Sequence, residues 1–204
     1  MPRASNATNT KTTRVRIAAL VVLAFVAIVI YGIDQLSKIA VVASMEVGER
    51  APLIGDLLQL YLVKNPGAAF SLGSGSTWIF AIIATAVVVF IVIFAPRIRS
   101  LGWAVLFGLL LGGNAGNLTD RLTREPGFGV GHVIDFFQLW GFPAIFNVAD
   151  TAIVASMVLF VVLTIRGVRL DGTKTPKTAV TDDAAATPTT DTGASDAPAT
   201  QETP

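Results

Sequence analysis

The sequence has no cysteine and a single histidine, His132. The first absence excludes disulfides, thiol nucleophiles, iron–sulfur clusters and thiolate zinc sites. The second excludes a metal centre built from several imidazoles. Charge is also scarce. Only 14% of the 204 residues are Asp, Glu, Lys or Arg, against about 25% in an average soluble domain. A net charge of +1 provides no basic field for nucleic acid. What fills the gap is apolar, at 52% of residues, and a chain of this kind needs lipid as part of its solvent. Nothing repeats at a solenoid period.

The apolar residues are gathered into runs. A polar, basic stretch over residues 1–16 precedes an unbroken apolar run that begins at Ile17. A secretory signal peptide would fit this start loosely, with small residues near Ala43-Ser44. The run is long for that, however, and three further apolar runs follow. The expectation is therefore four membrane-spanning helices at about 17–38, 77–95, 101–119 and 146–165, each near the ~20 residues that cross a ~30 Å hydrocarbon core. Ten basic residues flank one side of these spans: Arg3, Lys11, Arg14, Arg16, Arg97, Arg99, Arg166, Arg169, Lys174 and Lys177. The other side has five, Lys38, Arg50, Lys64, Arg121 and Arg124. The imbalance predicts both termini in the cytoplasm and the two large loops outside. In the first outer loop, Leu58-Gln-Leu-Tyr-Leu-Val63 is bounded by Gly55-Asp56 and Asn65-Pro66-Gly67 and reads as a strand. It predicts a small β-containing cap at about 43–72. Residues 17–166 form the membrane domain, and residues 167–204, rich in Thr, Ala, Pro and Asp, are expected to be a disordered cytoplasmic tail.

Ionisable groups near the spans are costly and therefore informative. Asp34 and Lys38 end the first span, Asn117, Asp120 and Arg121 end the third, Asn147 and Asp150 open the fourth, and Asp135 precedes it. In the predicted topology all of them fall at the outer membrane level, and the inner halves of the spans are free of charge. That pattern suits a site at the outer interface and not a pathway across the bilayer. Asn117-x-x-Asp120 and Asn147-x-x-Asp150 each place an amide and a carboxylate on one helix face. Gly108, Gly112 and Gly116, four residues apart, read as close helix packing.

Lacking cysteine, a second histidine and a well-placed Ser/Lys pair, the spans offer a pair of aspartates as the natural peptide-hydrolysing chemistry. Such a pair shares one proton, because two like charges a few Å apart do not both ionise. Its members should lack a cation of their own. Asp34 has Lys38 four residues on and Asp120 has Arg121 beside it, so both read as structural ion pairs. Asp135, in Val-Ile-Asp-Phe-Phe, and Asp150, in Val-Ala-Asp-Thr-Ala, have no basic neighbour in sequence except His132, and they are the expected pair. An ion-coupled transporter using the outer acids and a non-catalytic adaptor binding a partner peptide are the competing readings.

Five motifs in order carry a resemblance: Asp34-Gln-Leu-Ser-Lys38, Asn65-Pro-Gly-Ala-Ala-Phe-Ser71, Gly112-Gly-Asn-Ala-Gly-Asn-Leu-Thr-Asp-Arg121, Val133-Ile-Asp-Phe136 and Phe146-Asn-Val-Ala-Asp150. In order, spacing and membrane position they resemble the motif set of bacterial lipoprotein signal peptidases, over roughly residues 31–151. The resemblance implies a four-helix inner-membrane bundle with a small extracytoplasmic β-cradle and a short outer helix. It implies cleavage of prolipoproteins just before their lipid-modified cysteine by a monomer in contact with membrane lipids, with neither metal nor cofactor. By position it makes Asp135 and Asp150 the catalytic dyad. Asp34, Lys38, Asn65, Gly67, Asn117, Asp120, Arg121 and Asn147 then match supporting positions around substrate and dyad. The sequence departs from the pattern at Asn114, where the family more often has a small apolar residue.

Overall fold

A computed structural model describes residues 4–67 and 77–173. The Ala68–Ser71 part of the second motif, residues 72–76 and the tail beyond Thr173 lie outside the described residues. Among the described residues, four helices are long and apolar enough to cross a membrane. They are α1 (Ala4–Ser44), α2 (Thr77–Phe94), α3 (Leu101–Thr123) and α4 (Val148–Ile165). Two helices outrun the apolar stretches that announce them. The first, expected at 17–38, continues to Ser44 because Asp34 and Lys38 neutralise each other within the helix and apolar Ile39–Val42 follow. The third continues past 119 to Thr123 because Asp120 is neutralised by Arg124 in its last turn. Pro96 closes α2 through a single turn of 3-10 helix, Ala95–Arg97, since proline denies the helix an N–H donor.

Helix α3 is the centre of the bundle, with α1, α4 and α2 packed on it. Its glycines set the distances. A Cβ on Gly112 would lie 2.7 Å from the Ala27 carbonyl oxygen and 2.9 Å from Ile30 Cβ, both on α1. One on Gly113 would lie 2.6 Å from the Ala149 carbonyl oxygen on α4. Gly108 and Gly116 face α1 in the same way. In lipid, where apolar side chains gain nothing by avoiding the solvent, such backbone approach is a main source of helix association. Large apolar side chains point outward instead. Phe25, Ile28, Ile82, Phe90 and Val154 are all well over half exposed, a surface that suits hydrocarbon and not water.

At the end of the bundle where α1 stops and α4 starts sits an antiparallel sheet in the order β1-β2-β3-β4: β1 (Arg50–Ile54), β2 (Leu58–Asn65), β3 (Val133–Leu139) and β4 (Ile145–Phe146). Leu62, Ile134 and Phe136 from the sheet pack on Val41 of α1, with Val148 of α4 beside them. The predicted cap is therefore wider than residues 43–72, because half of the sheet comes from the segment between α3 and α4. The short outer helix implied by the resemblance is not formed among the described residues; the second loop supplies β3 and β4. Val133 to Phe136 are buried in succession, so this strand shows no alternation that would reveal it. At the opposite end, Gly167 with φ +62° ends α4, and its successors turn back. The Leu170 carbonyl accepts from the backbone N–H groups of Arg99 and Ser100 at 2.9 and 3.0 Å, and the Val168 carbonyl accepts from Trp103 Nε1 at 2.9 Å. Residues 167–173, assigned to the tail from the sequence, thus lie against the start of α3.

Replacing Gly112 by Ala forces α1 and α3 apart at a backbone carbonyl. The expected cost is about 1–3 kcal/mol, read as a lowered unfolding temperature in detergent, with no comparable loss for Ala at the open position Gly32.

Candidate active site

The site begins at Lys38, which is 0% exposed. An ammonium has three N–H donors and no acceptor, and here each donor has one partner: Asp34 Oδ2 at 2.9 Å, Asp120 Oδ2 at 2.7 Å and Asn117 Oδ1 at 2.9 Å. Asp120 Oδ1 accepts from Arg124 Nε at 2.6 Å, so two cations and two carboxylates balance. The same two carboxylates also reach outward. Asp34 Oδ1 accepts from the backbone N–H of Ala149 at 2.9 Å, in the first turn of α4, where a helix favours an anion. Asp120 Oδ2 also accepts from the backbone N–H of Ile134 in β3 at 3.3 Å. The Asp34–Lys38 pair is as the sequence spacing predicts. The predicted pairing of Asp120 with Arg121 is not formed. Adjacent helical residues point about 100° apart, and Asp120 takes Lys38 and Arg124 instead. Arg124, counted in the sequence only among the outer-side charges, has the i,i+4 spacing from Asp120 that signals this pair.

Arg121 turns to the other side. Its Nη2 donates to the Gly67 carbonyl at 2.9 Å, and its guanidinium lies 5.5 Å from the ring centre of Phe80 on α2. Its Nη1 is buried with no hydrogen-bond partner among the described residues.

Three asparagines connect this frame to Asp135 and Asp150. Asn117 Oδ1 is taken by Lys38, so its Nδ2 faces Asp150 Oδ1 at 2.8 Å. Asn147 caps α4: its Oδ1 accepts from the backbone N–H of Asp150 at 2.9 Å, and Asp150 Oδ2 accepts from the Asn147 backbone N–H at 3.1 Å. This reciprocal pair is a capping box. Because its oxygen is engaged, Asn147 presents Nδ2 to Asp135 Oδ1 at 2.6 Å. Asn65 repeats the arrangement, with Oδ1 held by the Gly67 N–H at 3.0 Å and Nδ2 donating to Asp135 Oδ2 at 2.8 Å. Each of these three amide oxygens is pinned by a donor, and each amide nitrogen donates to a carboxylate oxygen; Asn147 Nδ2 also reaches Asn117 Oδ1 at 3.2 Å and the Ile134 carbonyl at 3.3 Å.

Asp135 and Asp150 are thus held by neutral donors. Among the described residues, the ion pairs engage Asp34, Asp120 and Glu125, and neither of these two. Asp135 is buried, at 3% exposure, and Asp150 is half-buried. Burial, with the nearby Asp150 charge, pushes the Asp135 carboxyl up to about 7, against the downward pull of the Asn65 and Asn147 amides and of Lys38. Of the predicted site residues, Asp34, Lys38, Asn117, Asp120, Asn147, Asp150, Asp135, Asn65, Gly67 and Arg121 all belong to this one connected network. His132 does not; it is a half-buried loop residue whose backbone N–H bonds to the Glu125 carbonyl at 2.9 Å. Among the described residues no group of three His, Cys, Asp or Glu stands where it could hold a metal ion.

The family model for signal peptidase (SPase) II matches residues 26–166. This chain belongs to the signal peptidase II family. The lipoprotein signal peptidase of Leifsonia xyli subsp. xyli is 60% identical over 160 residues, covering 78% of this chain and 74% of that protein. The lipoprotein signal peptidase of Rhodococcus jostii is 47% identical over 146 residues, covering 72% and 73%. Two solved structures share the fold, both bacterial membrane enzymes determined by the in meso method. One, at 2.3 Å resolution, has a TM-score of 0.61 and 27% identity, over 72% of this chain and 87% of that one. The other, at 1.9 Å, has a TM-score of 0.59 and 27% identity, over 73% and 93%. As a signal peptidase II, the chain is a membrane-embedded aspartic peptidase of lipoprotein processing.

Removing the Lys38 charge leaves two buried carboxylates facing each other across the gap. Lys38→Met is expected to destabilise the fold by about 3–5 kcal/mol, measured by thermal unfolding in detergent, whereas Met at the exposed Lys64 should leave the transition in place.

Proposed function

We propose that Asp135 and Asp150 are the catalytic dyad with which this signal peptidase II cleaves diacylglyceryl-modified prolipoproteins immediately before the lipidated cysteine. One observation carries the reading: Asn147 alone grips both carboxylates, Asp135 through its side chain at 2.6 Å and Asp150 through its backbone at 3.1 Å. The two groups are therefore neighbours, neither engaged in an ion pair among the described residues, and suited to sharing one proton.

The ionised member takes a proton from a water molecule as its oxygen attacks the scissile carbonyl carbon. The protonated member gives its proton to the carbonyl oxygen, so the intermediate is a tetrahedral diol with no covalent bond to the enzyme. Transfer of a proton to the cysteine nitrogen then breaks the C–N bond and releases the signal peptide with a new carboxylate and the lipoprotein with a new amine. Burial raises the Asp135 carboxyl, which suits the pair to holding one proton at rest. Asn65, Asn117 and Asn147 orient the carboxylates, Asp34, Lys38 and Asp120 hold those amides in place, and Arg121 with Gly67 forms the wall against which the substrate backbone lies.

The basic flanks support an orientation with both termini in the cytoplasm and the sheet and dyad at the outer face of the membrane. A monomer in which the substrate's acyl chains remain in lipid completes the reading. No metal is needed, so chelators should not change the rate.

Asp135→Asn and Asp150→Asn are each expected to abolish cleavage of a diacylglyceryl prolipoprotein by the purified protein while leaving its unfolding temperature close to wild type. Full cleavage by either variant would move the dyad elsewhere in the network. The sign of the pH response follows from Asp135. Its proton is bound below about 7 and lost above, so kcat/KM should fall on the alkaline side with a midpoint near that value. A rate that rises steadily through this range would contradict the assignment.

A further inference from the structure

Polar side chains inside the spans mostly satisfy themselves. Thr85 and Ser156 each donate their one hydroxyl proton to a carbonyl of their own helix. Asn114 does so only in part. Its Nδ2 donates to the Leu110 carbonyl at 2.8 Å, while its Oδ1 has no partner among the described residues and is not sealed away. Helical spacing puts Asn114 on the face of α3 that bears Leu110, Asn117 and Arg121. It lies about 4.5 Å deeper along the axis than Asn117.

Among the described residues that face is incompletely covered. α2 packs on α3 and makes at most marginal contact with α4. Deeper in the bundle, Phe94 of α2 meets Phe107 and Phe160 of α4 meets Trp103, both partners on α3. Leu110, Asn114 and Asn117 are accordingly half-buried, along a track that leads to the amide holding Asp150.

An apolar segment in a bilayer is helical because lipid offers its backbone no hydrogen bonds. A peptide bond within or just beyond such a helix reaches a pair of carboxylates only after the adjoining turn unwinds. Unwinding frees backbone N–H groups that need acceptors. We propose that Asn114 is a positioning residue for the substrate, its open Oδ1 accepting a backbone N–H from the unwound turn of the signal peptide just before the scissile bond. The inference rests on the peptidase reading above and adds to it a contact one helical turn below the dyad.

The test pairs wild type and Asn114→Ala with synthetic diacylglyceryl prolipoprotein peptides. One peptide is all amide; the others each carry a single backbone ester, which removes one N–H, at successive positions before the cleavage site. Asn114→Ala should lower kcat/KM about tenfold on the all-amide peptide, the worth of one hydrogen bond, with an unchanged pH profile and unfolding temperature. At one position the ester should cost wild type a similar factor and cost Asn114→Ala nothing further. Wild-type rates in Asn114→Ala would overturn the inference. So would a loss that is the same on every ester peptide, or one that follows a lowered unfolding temperature, since both mark a structural role. If wild type cleaves no peptide, it is the peptidase reading that fails, an outcome distinct from failure at Asn114 alone.

Discussion

One buried ammonium organises the rest. Lys38 has three hydrogens and finds one acceptor for each, two charged and one neutral. A buried ion pair stabilises a fold only when its geometry is complete, because the cost of leaving water is large. Completeness here draws in distant parts of the chain. Asp34 continues to the first turn of α4, and Asp120 continues to β3 and to Arg124. The same ammonium holds the oxygen of Asn117 and so decides which way that amide points. Asparagine, which can accept on one side and donate on the other, turns a structural charge into an orientation. Asn147 and Asn65 do the same with backbone N–H groups in place of an ammonium. Aspartate in any of the three positions would set lone pairs against lone pairs.

The glycines of α3 make this possible from below. A polar network this compact needs helices whose backbones nearly touch, and Gly116 lies where any side chain would run into the Asp34 carboxylate. Packing and polarity are therefore one constraint: the spacing that joins α1 to α3 in lipid also brings Lys38 to Asp120.

Much of this was legible in the sequence, and the exceptions have physical causes. The four spans announce themselves through unbroken apolar runs. The contrast between cation-paired Asp34 and Asp120 and unpaired Asp135 and Asp150 also follows from neighbouring residues. What failed was reading adjacency as contact: Arg121 is beside Asp120 in the chain but points to Gly67 and Phe80. Strand β3 was hidden because both of its faces are covered, which removes the period-two signal. No local pattern encodes that Lys38 meets Asp120, since the contact exists only once α1 and α3 have packed.

Asp135 is carried by a strand and Asp150 by a helix, and the two elements are different kinds of structure. The helix is anchored in the bundle. The sheet is attached through a small apolar patch, Leu62, Ile134 and Phe136 on Val41, together with the Asn147 and Asp120 bonds. Local opening follows the weaker attachment. Lifting the sheet would part the two carboxylates while every span stayed folded, so for the proposed dyad the geometry depends on the docking of a four-stranded sheet as well as on the membrane helices.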